Sequence, residues 1–326
     1  MVLIIPIRNL NALAWTLFCI STVITFGRFY IRWEKTKRLH LDDAFNGFAL
    51  AALVGFIVTY QIYLPIQYNY QLYALGIGGY LPSDGQLLYV QNVSIVNVAF
   101  FWVTIYLVKA SFLSLYWALF SVSNSFRKWW FVVAAYTLIS FLATFLAIFW
   151  SCKTPTQLEN LDACNSISEG LIVALETMWC VLNTTGDIIT MTLPLGMLRA
   201  MKMSRSRKLG LAAIAALVVI DIVFDILRTI YTVGSYESTF PNANAVWALC
   251  EPTIAVMVCA LPTYRTLLFR KTPEPSTSYQ GMRGTRSTRK NNIRNTSTPH
   301  EMDDISAYSL ASTQSVLGNH AEAHVV

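Results

Sequence analysis

Charged and amide side chains lie inside long apolar stretches of this 326-residue chain, and they are its candidates for chemistry. They are Lys109, Glu176, Asn183, Asp187, Asp221, Asp225, Arg228 and Glu251. A charge at the centre of a bilayer costs about 2.5–3.5 kcal/mol on insertion scales, so each one needs a partner or a polar cavity. Two kinds of chemistry are open to the set. Ion pairs could fix helix packing, or an internal cavity could hold a ligand, a proton or an ion.

The spacing of these residues places several of them on shared helix faces. One predicted face carries polar residues at successive intervals of seven, four and three: Glu176, Asn183, Asp187 and Thr190. Asp221 shares a second face with Asp225 and Arg228, and the last two can pair along the helix. Five carboxylates then face two cations, so three carboxylates remain after pairing. We expect these to be protonated, hydrated or close to the membrane surface.

Seven apolar stretches must position these side chains. The chain is 55% hydrophobic and only 13% charged, whereas a soluble domain averages about 25% charged residues. A membrane span needs about 20 mostly apolar residues. The predicted spans are 10–31, 42–63, 92–120, 128–150, 168–198, 209–233 and 245–268. The composition therefore predicts an all-α membrane protein, a bundle of seven transmembrane helices.

Lys and Arg between the spans predict the orientation. They concentrate in the first, third and fifth gaps and in the tail, so the positive-inside rule places the N-terminus outside and the C-terminus in the cytoplasm. We expect a short extracellular N-terminus (1–9), a membrane domain (10–270) and a disordered cytoplasmic tail (271–326). The net charge of +6 then reflects topology and gives no indication of nucleic-acid binding.

The outer gaps contain two expected modification sites. Cys152 and Cys164 lie in one predicted extracellular loop, where disulfides persist, and we expect them to pair. Asn92 begins an Asn-Val-Ser glycosylation sequon on the same side. The Tyr- and Gly-rich gap 64–91 would be an interfacial loop or a lid over an outward-facing pocket.

Several functions lack the residues that they need. A retinal protein requires a Schiff-base lysine, normally in the seventh span, but 245–268 contains none and Lys109 lies in the third. No cysteine–histidine spacing typical of a metal site occurs. No nucleophile–base pair is evident, so an enzyme is not expected. We therefore expect no catalytic residue, no metal and no cofactor.

A series of short motifs resembles one family of fungal proteins. In chain order they are Arg28-x-x-x-Arg32, Leu41-Asp42-Asp43, Lys109-x-Ser111-x-Leu113-x-x-Tyr116, Cys152 with Cys164, Asp187-Ile-Ile before Leu193-Pro194-Leu195, Arg228, Glu251 and Leu261-Pro262. Together they resemble the fungal rhodopsin-like integral membrane domain. That family includes Pth-type receptor-like proteins and membrane proteins of mycotoxin clusters such as that for satratoxin. The resemblance implies a seven-helix fungal membrane protein without retinal. For the receptor-type members of the family, it implies sensing of surface or chemical cues and signalling through G proteins.

The resemblance leaves the function open between three classes. A receptor-like sensor of an unknown cue is the first, with the bilayer, a small lipophilic ligand and a G protein as partners. A transporter or exporter linked to secondary metabolism is the second, and a membrane-embedded pathway protein such as a cyclase is the third. We expect the plasma membrane or an endomembrane as the location. The acidic pair Asp42 and Asp43 would cap the second helix and pair with the basic run before it, or contact a G protein.

Overall fold

The computed structural model describes residues 4–37, 40–121, 124–151, 168–200, 205–233 and 242–268. Seven long helices make up this part of the chain: α1 (Ile7–Thr36), α2 (Leu41–Ala74), α3 (Asp84–Phe120), α4 (Asn124–Ala147), α5 (Glu169–Ala200), α6 (Arg205–Val233) and α7 (Ala243–Leu268). One 3₁₀ turn, Ile148–Trp150, extends α4. The α-helical prediction is therefore confirmed for the described residues, and their helices overlap all seven apolar stretches.

Six of the described helices are long and apolar enough to cross a membrane: all except α6. Their apolar side chains also point outward, since Val23, Tyr30 and Leu41 are each at least 70% exposed. Outward apolar side chains suit lipid, which does not drive them into the interior as water does. The chain is thus a multi-pass membrane protein. The count of seven crossings and the orientation of the termini stay predictions.

The predicted gap 64–91 is mostly helix, so its interpretation as one long loop is wrong. Helix α2 continues to Ala74 and α3 already begins at Asp84. The amide of Ser83 donates to Gln86 Oε1 at 3.2 Å, and this cap starts α3 earlier than hydropathy suggests. The connection is 75–83, where Gly76, Gly78 and Gly79 adopt positive φ angles that glycine tolerates best.

Consecutive helices pack side by side, and α1 closes the ring against α7. Helix α3 also contacts α5 and α7 across the interior. Its buried residues include Trp102, Ile105, Tyr116 and the charged Lys109. Because α3 touches helices on several sides, its polar side chains can reach partners on α2, α5 and α7.

Candidate functional site

Arg228 of α6 is shared by three carboxylates from three helices. Its Nε lies 3.0 Å from Glu251 Oε2 of α7, its Nη2 3.1 Å from Asp225 Oδ1, and its Nη1 3.2 Å from Glu176 Oε2 of α5. Asp225 and Glu251 are fully buried, and the Glu176 side chain is 17% exposed. The planar guanidinium suits this role because its five N–H donors point in several directions.

Aromatic rings of α3 lie against the same guanidinium. The Arg228 Cζ lies 5.2 Å from the ring centroid of Phe101 and 5.4 Å from that of Trp102. Trp102 in turn contacts Trp179 of α5, with 5.8 Å between ring centroids. Cation–π contacts strengthen where water is excluded, so the two rings help to stabilise the buried cation.

Lys109 of α3 forms the second ion pair, with α5. Its Nζ lies 2.9 Å from Asp187 Oδ1 and donates to the Asn183 backbone carbonyl at 2.7 Å. A Cβ at Gly186 would lie only 3.1 Å from Nζ, so glycine leaves room for the lysine head. The lysine also lies over the Tyr106 ring, 5.5 Å from its centroid.

Asn183 joins the two ion-paired groups. Its carbonyl accepts from Lys109, while its side-chain Nδ2 donates to Glu251 Oε1 at 3.3 Å. Thr184 adds a second link from α5 by donating to Asp225 Oδ2 at 2.8 Å. We call the eight residues the intramembrane network: Lys109, Glu176, Asn183, Asp187, Asp221, Asp225, Arg228 and Glu251. Seven of them connect α3, α5, α6 and α7 through contacts that the structure describes.

Asp221 is the ionisable member of the network that takes part in no ion pair among the described residues. Its Oδ1 is buried without a hydrogen-bond partner there, as are Asp187 Oδ2 and Thr190 Oγ1. All three residues, with Lys109, line one internal cavity of about 20 Å³. A cavity of this size holds one water, which can make two to four hydrogen bonds. The charge count predicts three carboxylates without a cation, but Arg228 pairs with three carboxylates, so among the described residues Asp221 alone is left over, beside a small polar space.

A second buried ionic group lies where α1 and α2 meet, and we call it the Arg28 cluster: Arg28, Arg32, Asp42 and Asp43. Arg28 Nη2 lies 2.6 Å from Asp42 Oδ2 and its Nε 2.9 Å from Asp43 Oδ1. Arg32 Nη2 lies 2.6 Å from Asp42 Oδ2 and its Nη1 3.3 Å from Asp43 Oδ2. Two cations therefore balance two carboxylates, and Arg28 is only 1% exposed.

The Arg28 cluster also ties α3 and α7 to α1 and α2. Arg28 Nη1 donates to the Cys259 carbonyl of α7, and Ser111 of α3 donates to the Asp42 carbonyl at 2.7 Å. Asp43 Oδ2 accepts from the His40 amide at 3.2 Å, which caps α2. The acidic pair is buried here against arginines, so in this structure it offers no exposed surface to a protein partner.

The numbers of cations and carboxylates distinguish the roles of the Arg28 cluster and the intramembrane network. Removing one partner of a buried ion pair costs about 3–5 kcal/mol, although replacing the whole pair by apolar side chains is often neutral. The Arg28 cluster is balanced and therefore suits a structural role. The intramembrane network holds two cations and five carboxylates. Binding of one proton to a carboxylate, or loss of one ion-pair contact, therefore changes how its charges are balanced.

The remaining predicted positions are the glycosylation site and the two cysteines of the predicted disulfide. Asn92 is exposed near the start of α3, and its glycosylation stays a prediction. Cys152 and Cys164 lie outside the described residues, so the disulfide also stays a prediction. The burial of Arg28 was not anticipated. Its signal was available, because Arg28 and Arg32 are four apart within an apolar helix and must share a face.

The fold and these sites define a polytopic α-helical membrane protein with a buried ionic network. Comparison with known families assigns it further: the fungal rhodopsin domain model matches residues 27–270. The chain therefore belongs to the fungal rhodopsin domain family, and the resemblance drawn from its motifs is confirmed. No curated protein and no solved structure matches the chain.

Proposed function

We propose that this protein is a receptor-like membrane protein whose intramembrane network acts as a switch. The proposal rests on one observation: two buried cations together link four helices. Lys109 holds α3 to α5, and Arg228 holds α6 to α5 and α7. A structural ion pair needs only one carboxylate per cation. Here Arg228 divides its donors among three, so one contact can be lost while the cation stays paired.

The switch would work by competition for these contacts. A small lipophilic cue entering between the helices displaces Glu176 from Arg228, or the Asn183 side chain from Glu251. Helices α5 and α6 are then freed to move at their basic end, where Arg205, Arg207 and Lys208 belong to the first turn of α6. A heterotrimeric G protein is the partner proposed for this end of α5 and α6. A ligand shifts such an equilibrium only as far as it binds one state more tightly than the other.

The experiment measures basal activity and therefore needs no ligand. The full chain and Lys109→Met are reconstituted with fungal heterotrimeric G proteins, and guanine-nucleotide exchange is measured without ligand. We expect the variant to exchange faster than the wild type, since α3 no longer holds α5. Glu34→Gln, at an exposed site on α1, is the control and should match the wild type. A folded Lys109→Met protein with unchanged exchange contradicts the proposal.

A second candidate, proton-coupled transport, is favoured by Asp221 and its cavity. In the described part of the chain, Asp221, Asp187 and Thr190 present three oxygens without a hydrogen-bond partner to a space for one water. A proton could exchange there. Proteoliposomes with a trapped pH dye would test this by comparing the wild type with Asp221→Asn. Transport is favoured if proton movement accompanies a candidate substrate in the wild type and is abolished in Asp221→Asn. Equal proton movement in the two proteins excludes transport.

A further inference from the structure

An apolar groove of about 600 Å³ runs along the outside of the bundle between α3 and α4, with the start of α2 at one end. Its lining includes no member of either ionic group, and it faces outward, since Phe131 and Leu138 on its wall are 57% and 59% exposed. Its volume falls within the range of about 300–1,000 Å³ that is usual for small-molecule sites. The groove is therefore large enough for a specific occupant.

The groove wall has little left to offer a polar ligand. Three of its lining side chains already direct their polar atoms to the protein. Trp130 donates to the Leu113 carbonyl at 2.8 Å, Thr137 donates to the Val133 carbonyl at 2.9 Å, and Tyr106 pairs with Thr144 at 3.1 Å. Apart from the Ser114 hydroxyl and the Trp117 indole nitrogen, the rest of the lining is hydrocarbon and ring surface. The buried part of the occupant should therefore be apolar.

The length of the groove matches one leaflet of a bilayer. It extends along α3 from Val103 to Trp117, which is about 21 Å at 1.5 Å per residue, and along α4 from Trp130 to Phe141, about 16 Å. Half of a hydrocarbon core is about 15 Å thick. A single acyl chain lying along the helices would fill this length.

Positive charge marks one end of the groove. Arg127 lies with its Cζ 5.8 Å from the centroid of the Trp117 ring, and Trp117 lines the groove. Lys128 is the next residue, and both side chains are exposed. This end lies at the α3–α4 connection, which the positive-inside rule places in the cytoplasm. An anionic headgroup there would have two cations within reach.

We propose that this groove is a binding site for an anionic phospholipid of the leaflet that meets the α3–α4 connection. The acyl chain lies between α3 and α4, and the headgroup phosphate contacts Arg127 and Lys128. A bound lipid in this position adds apolar contact between the two helices. The proposal does not depend on receptor activity, because it rests on groove shape and charge alone.

The test measures which lipid the intact protein retains. The full chain is reconstituted in vesicles of equimolar phosphatidylserine and phosphatidylcholine with identical acyl chains. It is then released into mild detergent and examined by native mass spectrometry. We expect phosphatidylserine to be retained preferentially. Basic residues at a membrane surface attract anionic lipid about fivefold each, so Arg127→Gln with Lys128→Gln should lower the preference by about 25-fold.

Filling the groove gives an independent test. Ala134 lines it, whereas its neighbour Ala135 is exposed and does not. Ala134→Trp should abolish lipid retention, and the matched control Ala135→Trp should keep it. Equal retention of the two phospholipids by the wild type overturns the proposal. The proposal is also overturned if the wild type binds a second copy of the chain and only Ala134→Trp dissociates it. The groove would then be a protein interface.

Discussion

Substitution of Arg228 by Gln should destabilise the bundle more than substitution of any one of its carboxylate partners. The change keeps a polar side chain but shortens it and removes the charge. Glu251 and Asp225, both fully buried, would then lose their cation, together with the partly exposed Glu176. Removing one member of a buried pair costs about 3–5 kcal/mol. Since two fully buried carboxylates are affected, we expect the upper end, about 5 kcal/mol.

Glu176→Gln is the matched comparison for that prediction. The Glu176 side chain is 17% exposed, and its loss leaves Arg228 paired with Glu251 and Asp225. One hydrogen bond to a charged group contributes about 1.5–3 kcal/mol, so the cost should be about 2 kcal/mol or less. The two substitutions should therefore differ by about 3 kcal/mol in the free energy of unfolding.

The assay is unfolding of the purified chain in mixed micelles by increasing sodium dodecyl sulfate, followed by circular dichroism. Glu34→Gln, at an exposed position of α1, should match the wild type and controls for the loss of a carboxylate. If Arg228→Gln costs no more than Glu176→Gln, Arg228 is not the shared cation of the network and the reasoning is refuted.

Two further predictions use the same assay. Lys109→Met should cost about 3–5 kcal/mol, and adding Asp187→Leu should recover most of it, because an apolar pair can replace a buried ion pair; a double variant as unstable as the single one contradicts this. Arg28→Gln should destabilise by about 3–5 kcal/mol and Arg32→Gln by clearly less, because Arg28 is 1% exposed and Arg32 16%. Equal losses for the two arginines would show that burial does not determine their contributions.

The charge count and the helical periodicity predicted much of the site. They placed polar residues on shared faces of α5 and α6 and showed that carboxylates outnumber cations. They could not assign partners, because pairing depends on how far each helix is rotated and shifted along its axis. Asn183 illustrates the limit, since its link to Lys109 uses a backbone carbonyl that no residue type reveals.

Helix ends were harder to predict than helix cores. Hydropathy ended the second span at residue 63, yet α2 continues through Pro65 to Ala74. The Asn69 side chain donates to the Pro65 carbonyl at 2.8 Å within this extension. Polar and aromatic residues can remain helical at a membrane surface, where water satisfies their side chains. A hydropathy window therefore reports the apolar part of a helix and misses the part beyond the bilayer.

The Lys109–Asp187 pair holds α3 against α5. The most direct measurement is the distance between spin labels at two exposed positions, Ala118 on α3 and Gly196 on α5, in the reconstituted protein. Pulsed electron paramagnetic resonance would compare the wild type with Lys109→Met, without any ligand. The account predicts a longer mean distance and a broader distribution in the variant. Identical distributions in two folded proteins would contradict it.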